Sequence, residues 1–276
     1  MPILTDALIA SVVDDVTTAV LEALHRGDAP TPDALRLLLR VYAATGRDEF
    51  RDVIEPALAR ALELAADSSS TAAAGWLVLF AEAADASDDA RLREAASDLA
   101  SKARMNWGGA QPIDVSAASV DAYLRALPLL GIDAAQAPVD ELERLVAASY
   151  EPGSGIGGTA DQEIGVATAL LTAFAITDRL PYAMLAEELL RHARIELLDS
   201  KDVPFSTACV AASALARMAA LHQVEEYRTA AVIAPDADYA SDAASMLERA
   251  APDAHKFGLA AAAYALAAGE LQSAFP

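Results

Sequence analysis

Cysteine is almost missing from this 276-residue chain, Cys209 standing alone. That excludes an intramolecular disulfide, a Cys-x-x-Cys redox centre and a multi-cysteine zinc site. Histidine is scarce too, four residues scattered along the sequence, so no metal and no cofactor is expected. Lysine and arginine number 20 against 41 aspartates and glutamates, a net charge of -21. The few basic residues form no stripe that could neutralise phosphates, and nucleic acid is not an expected partner. The acid excess fits a solvated shell, a GC-rich coding sequence, or a preference for cationic ligands. Long hydrophobic runs are absent as well. The longest charge-free apolar stretches, 164–177 and 257–269, fall short of the roughly 18 to 20 residues that span a bilayer and read as buried helices. The N-terminal residues carry no basic region or cleavage pattern, so the expectation is a cytoplasmic protein that does not enter membranes.

Aromatic residues make up only 5% of the chain, although 54% of it is hydrophobic. The difference is mostly alanine, the best helix former, whose small side chain lets helix backbones approach closely. An apolar helix, a short polar turn and a charged amphipathic helix recur. The apolar members begin near Asp33, Ala72, Ala117, Asp161, Thr207 and Ala254, at intervals of 39 to 47 residues, the signature of a helical-hairpin array. Inner helices are expected at 33–45, 71–84, 116–130, 160–177, 205–221 and 254–268. Outer ones are expected at 48–66, 88–105, 139–150, 181–198 and, irregularly, 224–233 with 239–249. The first helix, capped by Thr5 or Asp6, carries the stripe Leu8, Val12, Val16, Val20 and Leu24. It lacks an inner partner upstream, as 254–268 lacks an outer one downstream. Packing that stripe near Leu259 and Leu266 would close a ring. The reading is a single all-α domain over 1–276, an α/α toroid of about six hairpins, with an open hairpin solenoid as the alternative.

Outer-to-inner connections are the longer ones and collect at one mouth. Gly153-x-Gly155-x-x-Gly158 fits the dinucleotide fingerprint by letter, with Asp178 downstream, but it follows a helix rather than a strand, so the glycines supply turn conformations. Asp161, Gln162 and Glu163 open the fourth inner helix. Capping accounts for Asp161, while a carboxylate facing the mouth could act as general acid or base, joined by Asp114. Trp107 and Tyr150 end outer helices and could stack on sugar faces or simply pack loops. Trp76 reads as core. His192, between Glu188 and Glu196, reads as part of a solvated face. Asp236, Asp238 and Asp242 lack the glycine and distal glutamate of a calcium loop and read as helix-start residues. Cys209 reads as a small buried hydrophobe.

Three stretches carry a resemblance. They are Leu37 to Phe50 (reading Leu-Leu-Leu-Arg-Val-Tyr-Ala-Ala-Thr-Gly-Arg-Asp-Glu-Phe), the loop Tyr150 to Gly158, and Val203 to Ala208 leading into Leu215 to Leu221. In them the chain resembles the six-hairpin glycosidase superfamily, and specifically the helical domain of spermatogenesis-associated thioredoxin-domain proteins. It departs from that family in having no thioredoxin part and no counterpart of the catalytic cysteines. The resemblance implies a funnel like that of N-acylglucosamine 2-epimerases and related sugar enzymes, in which histidines at inner-helix ends act, and His255 is the histidine so placed. Candidate catalytic groups are therefore Asp161, Glu163 and His255, with Trp107, Asp114, Tyr150 and Gln162 as substrate-binding groups. No single inner helix holds an ionisable cluster, which favours a non-catalytic or weakly catalytic sugar- or metabolite-binding funnel. A carbohydrate-active enzyme and a helical scaffold for protein contacts are the alternatives. Because Cys209 is assigned no chemistry, Cys209→Ser is expected to keep native helicity and a cooperative melt, checked by circular dichroism.

Overall fold

Alanine and leucine at helical spacing, punctuated by caps and glycines, produce an uninterrupted succession of helices. The computed structural model describes residues 2–87, 89–109, 111–231 and 233–274, with side chains described from Asp6 onward. In chain order the helices are α1 (Pro2–His25), α2 (Pro32–Thr45), α3 (Asp48–Ala66), α4 (Ser70–Ala86), α5 (Ala90–Arg104), α6 (Ile113–Arg125), α7 (Leu127–Leu130) and α8 (Gln136–Ser149). They continue as α9 (Ala160–Thr177), α10 (Leu180–Asp199), α11 (Phe205–Leu221), α12 (Glu225–Ala230), α13 (Tyr239–Ala250) and α14 (Ala262–Ser273). Short 3₁₀ segments occupy Ile132–Ala135, Ala251–Lys256 and Gly258–Ala261. No strand occurs among the described residues, where β-type pairing is limited to an isolated bridge between Glu151 and Gly155. The protein is all-α.

Side chains that accept from exposed backbone N–H groups start many of these helices. Thr31, Ser69, Asp89 and Asp238 accept from the amides of Ala34, Ala72, Arg91 and Ser241. At α9 the cap belongs to Thr159 and not to Asp161. Gln162 Oε1 accepts from the Thr159 amide at 3.1 Å in a reciprocal capping box, and Asp161 stands exposed in the first turn, where the helix dipole favours its charge. The tight turns after α2 and α9 share one design. Gly46 (φ 64°) and Asp178 (φ 55°) adopt the left-handed conformation and return their amides to Tyr42 and Phe174.

Six helices form the inner set. α2 packs on α4, α4 on α6, α6 on α9, α9 on α11, α11 on α14, and α14 on α2. Fully buried alanines sit in all six, for example Ala34, Ala73, Ala117, Ala167, Ala211 and Ala262, so neighbouring backbones come close. Each inner helix also has an outer companion: α3 on α2, α5 on α4, α8 on α6, α10 on α9, α13 on α11 and α1 on α14. The buried stripe of α1 is Ile9, Val16, Val20 and Leu24, while Leu8 is exposed. Leu266 is buried on α14, and Leu259 is partly buried in the segment before it. Thr5's side chain and Asp88, expected at two helix starts, lie outside the described residues; α1 begins before Asp6, and Asp89 caps α5.

Three boundaries differ from expectation. The last inner helix begins at Ala262 rather than near Ala254, because Gly258 turns to positive φ (53°) and Phe257 swings out to stack on Phe205 with ring centroids 4.2 Å apart. The stretch 116–130 is divided at Ala126, two residues before Pro128, which has no N–H to give. The stretch 224–233 shortens to α12, and α13 rather than α12 backs α11.

Glu187 of α10 holds that irregular region. Its fully buried carboxylate accepts from the amides of Ile233 (2.9 Å) and Ala234 (3.0 Å), from the Tyr227 hydroxyl (2.8 Å), and pairs with His222 Nε2 (3.0 Å). Burial opposes its charge, yet these bonds prevail and draw its pKa down to about 2 from 4.5. A depressed carboxylate stabilises the fold fully above its unfolded pKa and loses that contribution as pH falls from about 4.5 toward 2, here on the order of 3 kcal/mol. Glu187→Ala is expected to cost about 3–5 kcal/mol at pH 7, since it orphans buried donors. In urea titrations the wild-type advantage over the variant should shrink across that acid range; a pH-independent difference would reject the assignment.

Candidate functional site

Each inner helix carries few charges, from one to three, and several of their polar side chains line shared cavities. α2 contributes Arg36, and α6 Asp121 and Arg125; Glu82 of α4 lines a neighbouring pocket with Arg125 and accepts from Arg36 and Arg40. α9 contributes Thr168 and Thr172, α11 Ser213 and Arg217, and α14 Glu270. Partners on one helix stand four residues apart, and Val78 and Leu266 fill the matching positions before Glu82 and Glu270. Helical spacing of i, i+4 therefore gives each helix one polar face aimed inward. A cavity of about 180 Å³ is lined by all six helices, and Val210, 48% exposed on its wall, opens it to solvent. A second cavity, about 450 Å³, is bordered by α6, α7, α9, α11 and α14. Arg125 and Glu270 line both.

The charges are linked across helices. Arg36 forks onto Glu82, Nε to Oε2 at 3.0 Å and Nη2 to Oε1 at 2.9 Å, while its Nη1 reaches Asp33 at 3.1 Å. Burial weighs against both charges, but the fork outweighs it, so the Arg36 pKa is raised and that of Glu82 lowered. Arg125 Nε lies 2.8 Å from Asp121 Oδ2. The Thr172 hydroxyl donates to the other Asp121 oxygen at 2.5 Å and accepts from Arg217 Nη2 at 2.9 Å. Ser213 donates to Glu270 at 2.6 Å. The result is a hydrogen-bonded charged lining suited to a small polar molecule.

The residues expected at the mouth are placed otherwise. Trp107 donates its indole N–H to Ser119 (3.0 Å) and meets Tyr123 edge-on. Tyr150 donates to Glu188 (2.8 Å), which also accepts from the Gly153 amide, so Glu188 anchors the glycine loop beside His192. Asp114 is exposed where its backbone passes close to Gly165 of α9. Gln162 is engaged in the cap of α9. His255 is exposed and lines a different, largely apolar cavity of about 200 Å³ against Val12 and Val16 of α1. Trp107, Asp114, Tyr150, Asp161, Gln162 and Glu163 line neither of the two central cavities.

No family model matches the chain, and no curated protein is significantly similar to it. The site must therefore be read from its own chemistry. Among the described residues no group of three or more His, Cys, Asp or Glu side chains is disposed to hold a metal, and no helix is long and apolar enough to cross a membrane. Cys209 is buried on the wall of the smaller central cavity, and burial pushes its thiol up to about 12, so it is not a nucleophile. Trp76 is core, stacked on Phe80.

Glu163 is buried under the glycine loop, against Gly155, where any side chain would collide with its Oε1. Burial, with the charge of Glu196, raises its pKa to about 6 although the Ile156 amide donates to it. A carboxyl raised in this way penalises the folded state only where it ionises, so the penalty is absent below about pH 4.5 and complete above about 6. Glu163→Gln, which keeps an acceptor for Ile156, is expected to stabilise the protein by about 1–2 kcal/mol at pH 8 and to change nothing at pH 4. Paired thermal melts at the two pH values decide.

Proposed function

We propose that the six inner and six outer helices form a closed α/α toroid, and that the protein binds a small polar metabolite, a sugar or similar compound, in the axis of that ring. The observation that carries the reading is the convergence of charged and hydroxyl side chains from five helices, α2, α6, α9, α11 and α14, on open, solvent-connected cavities. Packing alone gives no reason to place arginines and carboxylates there, because well-packed apolar residues would be as stable or more so. The return of α14 to α2 supports ring closure, and the resemblance of segments to six-hairpin glycosidases agrees with a ligand in the axis. A binding role is favoured over catalysis. The carboxyl whose pKa is raised into the working range of a general acid, Glu163, lies under the glycine loop away from the central cavities. The sparse basic surface argues against nucleic acid, and the buried lone thiol fits a reducing, cytoplasmic setting.

The test is a thermal-shift screen of the full chain against monosaccharides, disaccharides, polyols, organic acids and amino acids. A true ligand at about 100 times its Kd should raise Tm by roughly 5–10 °C. Val210→Trp at the wall of the smaller cavity, or Ala220→Trp at the partly exposed wall of the larger one, should leave the fold intact and remove the shift. If no compound shifts the melt, or the hits are indifferent to both substitutions, a helical scaffold is the better reading.

A further inference from the structure

The charges around the central space fail to pair in one place. Arg36, Arg40 and Arg125 each lie against a carboxylate. Arg217 has none within ion-pair distance among the described residues, and donates to the Thr172 hydroxyl at 2.9 Å and the Thr168 carbonyl at 3.3 Å. It is partly buried. Burial and the like charge of Arg125 push its pKa below the ordinary arginine value despite Asp121 and Glu270. A guanidinium offers five N–H donors in a planar fork, so donors remain, and Arg217 borders the 450 Å³ cavity. Glu270 is its complement on the same cavity. One of its oxygens accepts from Ser213, and no cation reaches ion-pair distance of it among the described residues.

A partly buried guanidinium and a carboxylate, neither in an ion pair, on the wall of one cavity select among ligands. A simple anion would pair with Arg217 and face the like charge of Glu270; a simple amine would pair with Glu270 and face the like charge of Arg217. A molecule carrying both charges satisfies both and keeps the space electrically neutral. The rest of the wall is largely apolar, with Leu124, Ile176 and Ala220 among its residues.

We infer that this cavity binds a small zwitterion of the α-amino acid class with an apolar side chain, its carboxylate on Arg217 and its ammonium on Glu270. The inference rests on the small-molecule reading above and names the ligand class for it. Arg217 meets the carboxylate with its unused donors, Glu270 accepts from the ammonium with its unused oxygen, and the apolar wall takes the side chain.

Calorimetric titration of the full chain with matched compounds tests it. The probes are leucine, valine, methionine and phenylalanine, the deaminated and decarboxylated counterparts of leucine (4-methylpentanoate and 3-methylbutylamine), and glucose. At least one amino acid should bind, with leucine or its best-binding relative at least about tenfold tighter than either singly charged counterpart. Arg217→Gln and Glu270→Gln should each weaken it by about tenfold or more. Equal binding of the acid alone, or binding of glucose in place of the amino acids, overturns the zwitterion while leaving a small-molecule protein. Silence from every compound here and in the wider thermal screen rejects both readings. Should Arg217→Gln fail to fold, Glu270→Gln and the counterpart series on the native chain decide.

Discussion

Arg36 is almost wholly enclosed by alanine-rich helices, and a guanidinium in such surroundings costs several kcal/mol unless hydrogen-bonded counter-charge accompanies it. Glu82 supplies that counter-charge from the next helix, so satisfying one residue ties α2 to α4. The link from Arg125 through Asp121 and Thr172 to Arg217 joins α6, α9 and α11 in the same manner, and Ser213 with Glu270 joins α11 to α14. Alanine-rich faces between neighbouring inner helices carry few directional contacts of their own. The polar links at their centre supply them.

The surface and the interior follow different electrostatic rules. A chain with 41 acidic and 20 basic residues has charge to spare outside, where water and salt screen it. Inside, arginines and carboxylates meet in near balance, since an excess of either sign there would go unscreened. Glu187 is a second instance: one acid among many in composition, yet fully buried and surrounded by donors. Composition cannot separate such a carboxylate from a solvated one.

Most of the fold was legible because its punctuation is local. Asp48–Ala66 and Ala160–Thr177 fall where the turn residues predict, since Gly46 and Asp178 act within a few residues, although the cap of the second belongs to Thr159 and not to Asp161. The start of the last inner helix was not legible, because an alanine run reads the same as α or 3₁₀ helix and the stacking of Phe257 on Phe205 is a long-range contact. The central site was missed for a related reason. Arg217 and Glu270 are each a lone charge on an apolar helix, and Glu82 shares α4 only with Asp85 near its end; such a charge resembles a solvated edge. The signal that was available is spacing: Asp121 with Arg125, Thr168 with Thr172 and Ser213 with Arg217 all stand four apart on helices otherwise apolar. The mouth residues attracted attention because they flank glycines and helix starts, features that Trp107, Tyr150 and Gln162 use in closing loops.

The shared register has an implication for how such a chain can change. Adding one residue ahead of Ser213 within α11 would rotate every later side chain by about 100°, turning Ser213 and Arg217 into a helix interface and an alanine toward the cavity. Exchanging the side chain at either position leaves the backbone contacts alone. Lengths within the inner helices are therefore far less free to vary than the identities at their inward positions, so the chemistry of the cavity wall changes by substitution while insertions and deletions accumulate in the connecting loops.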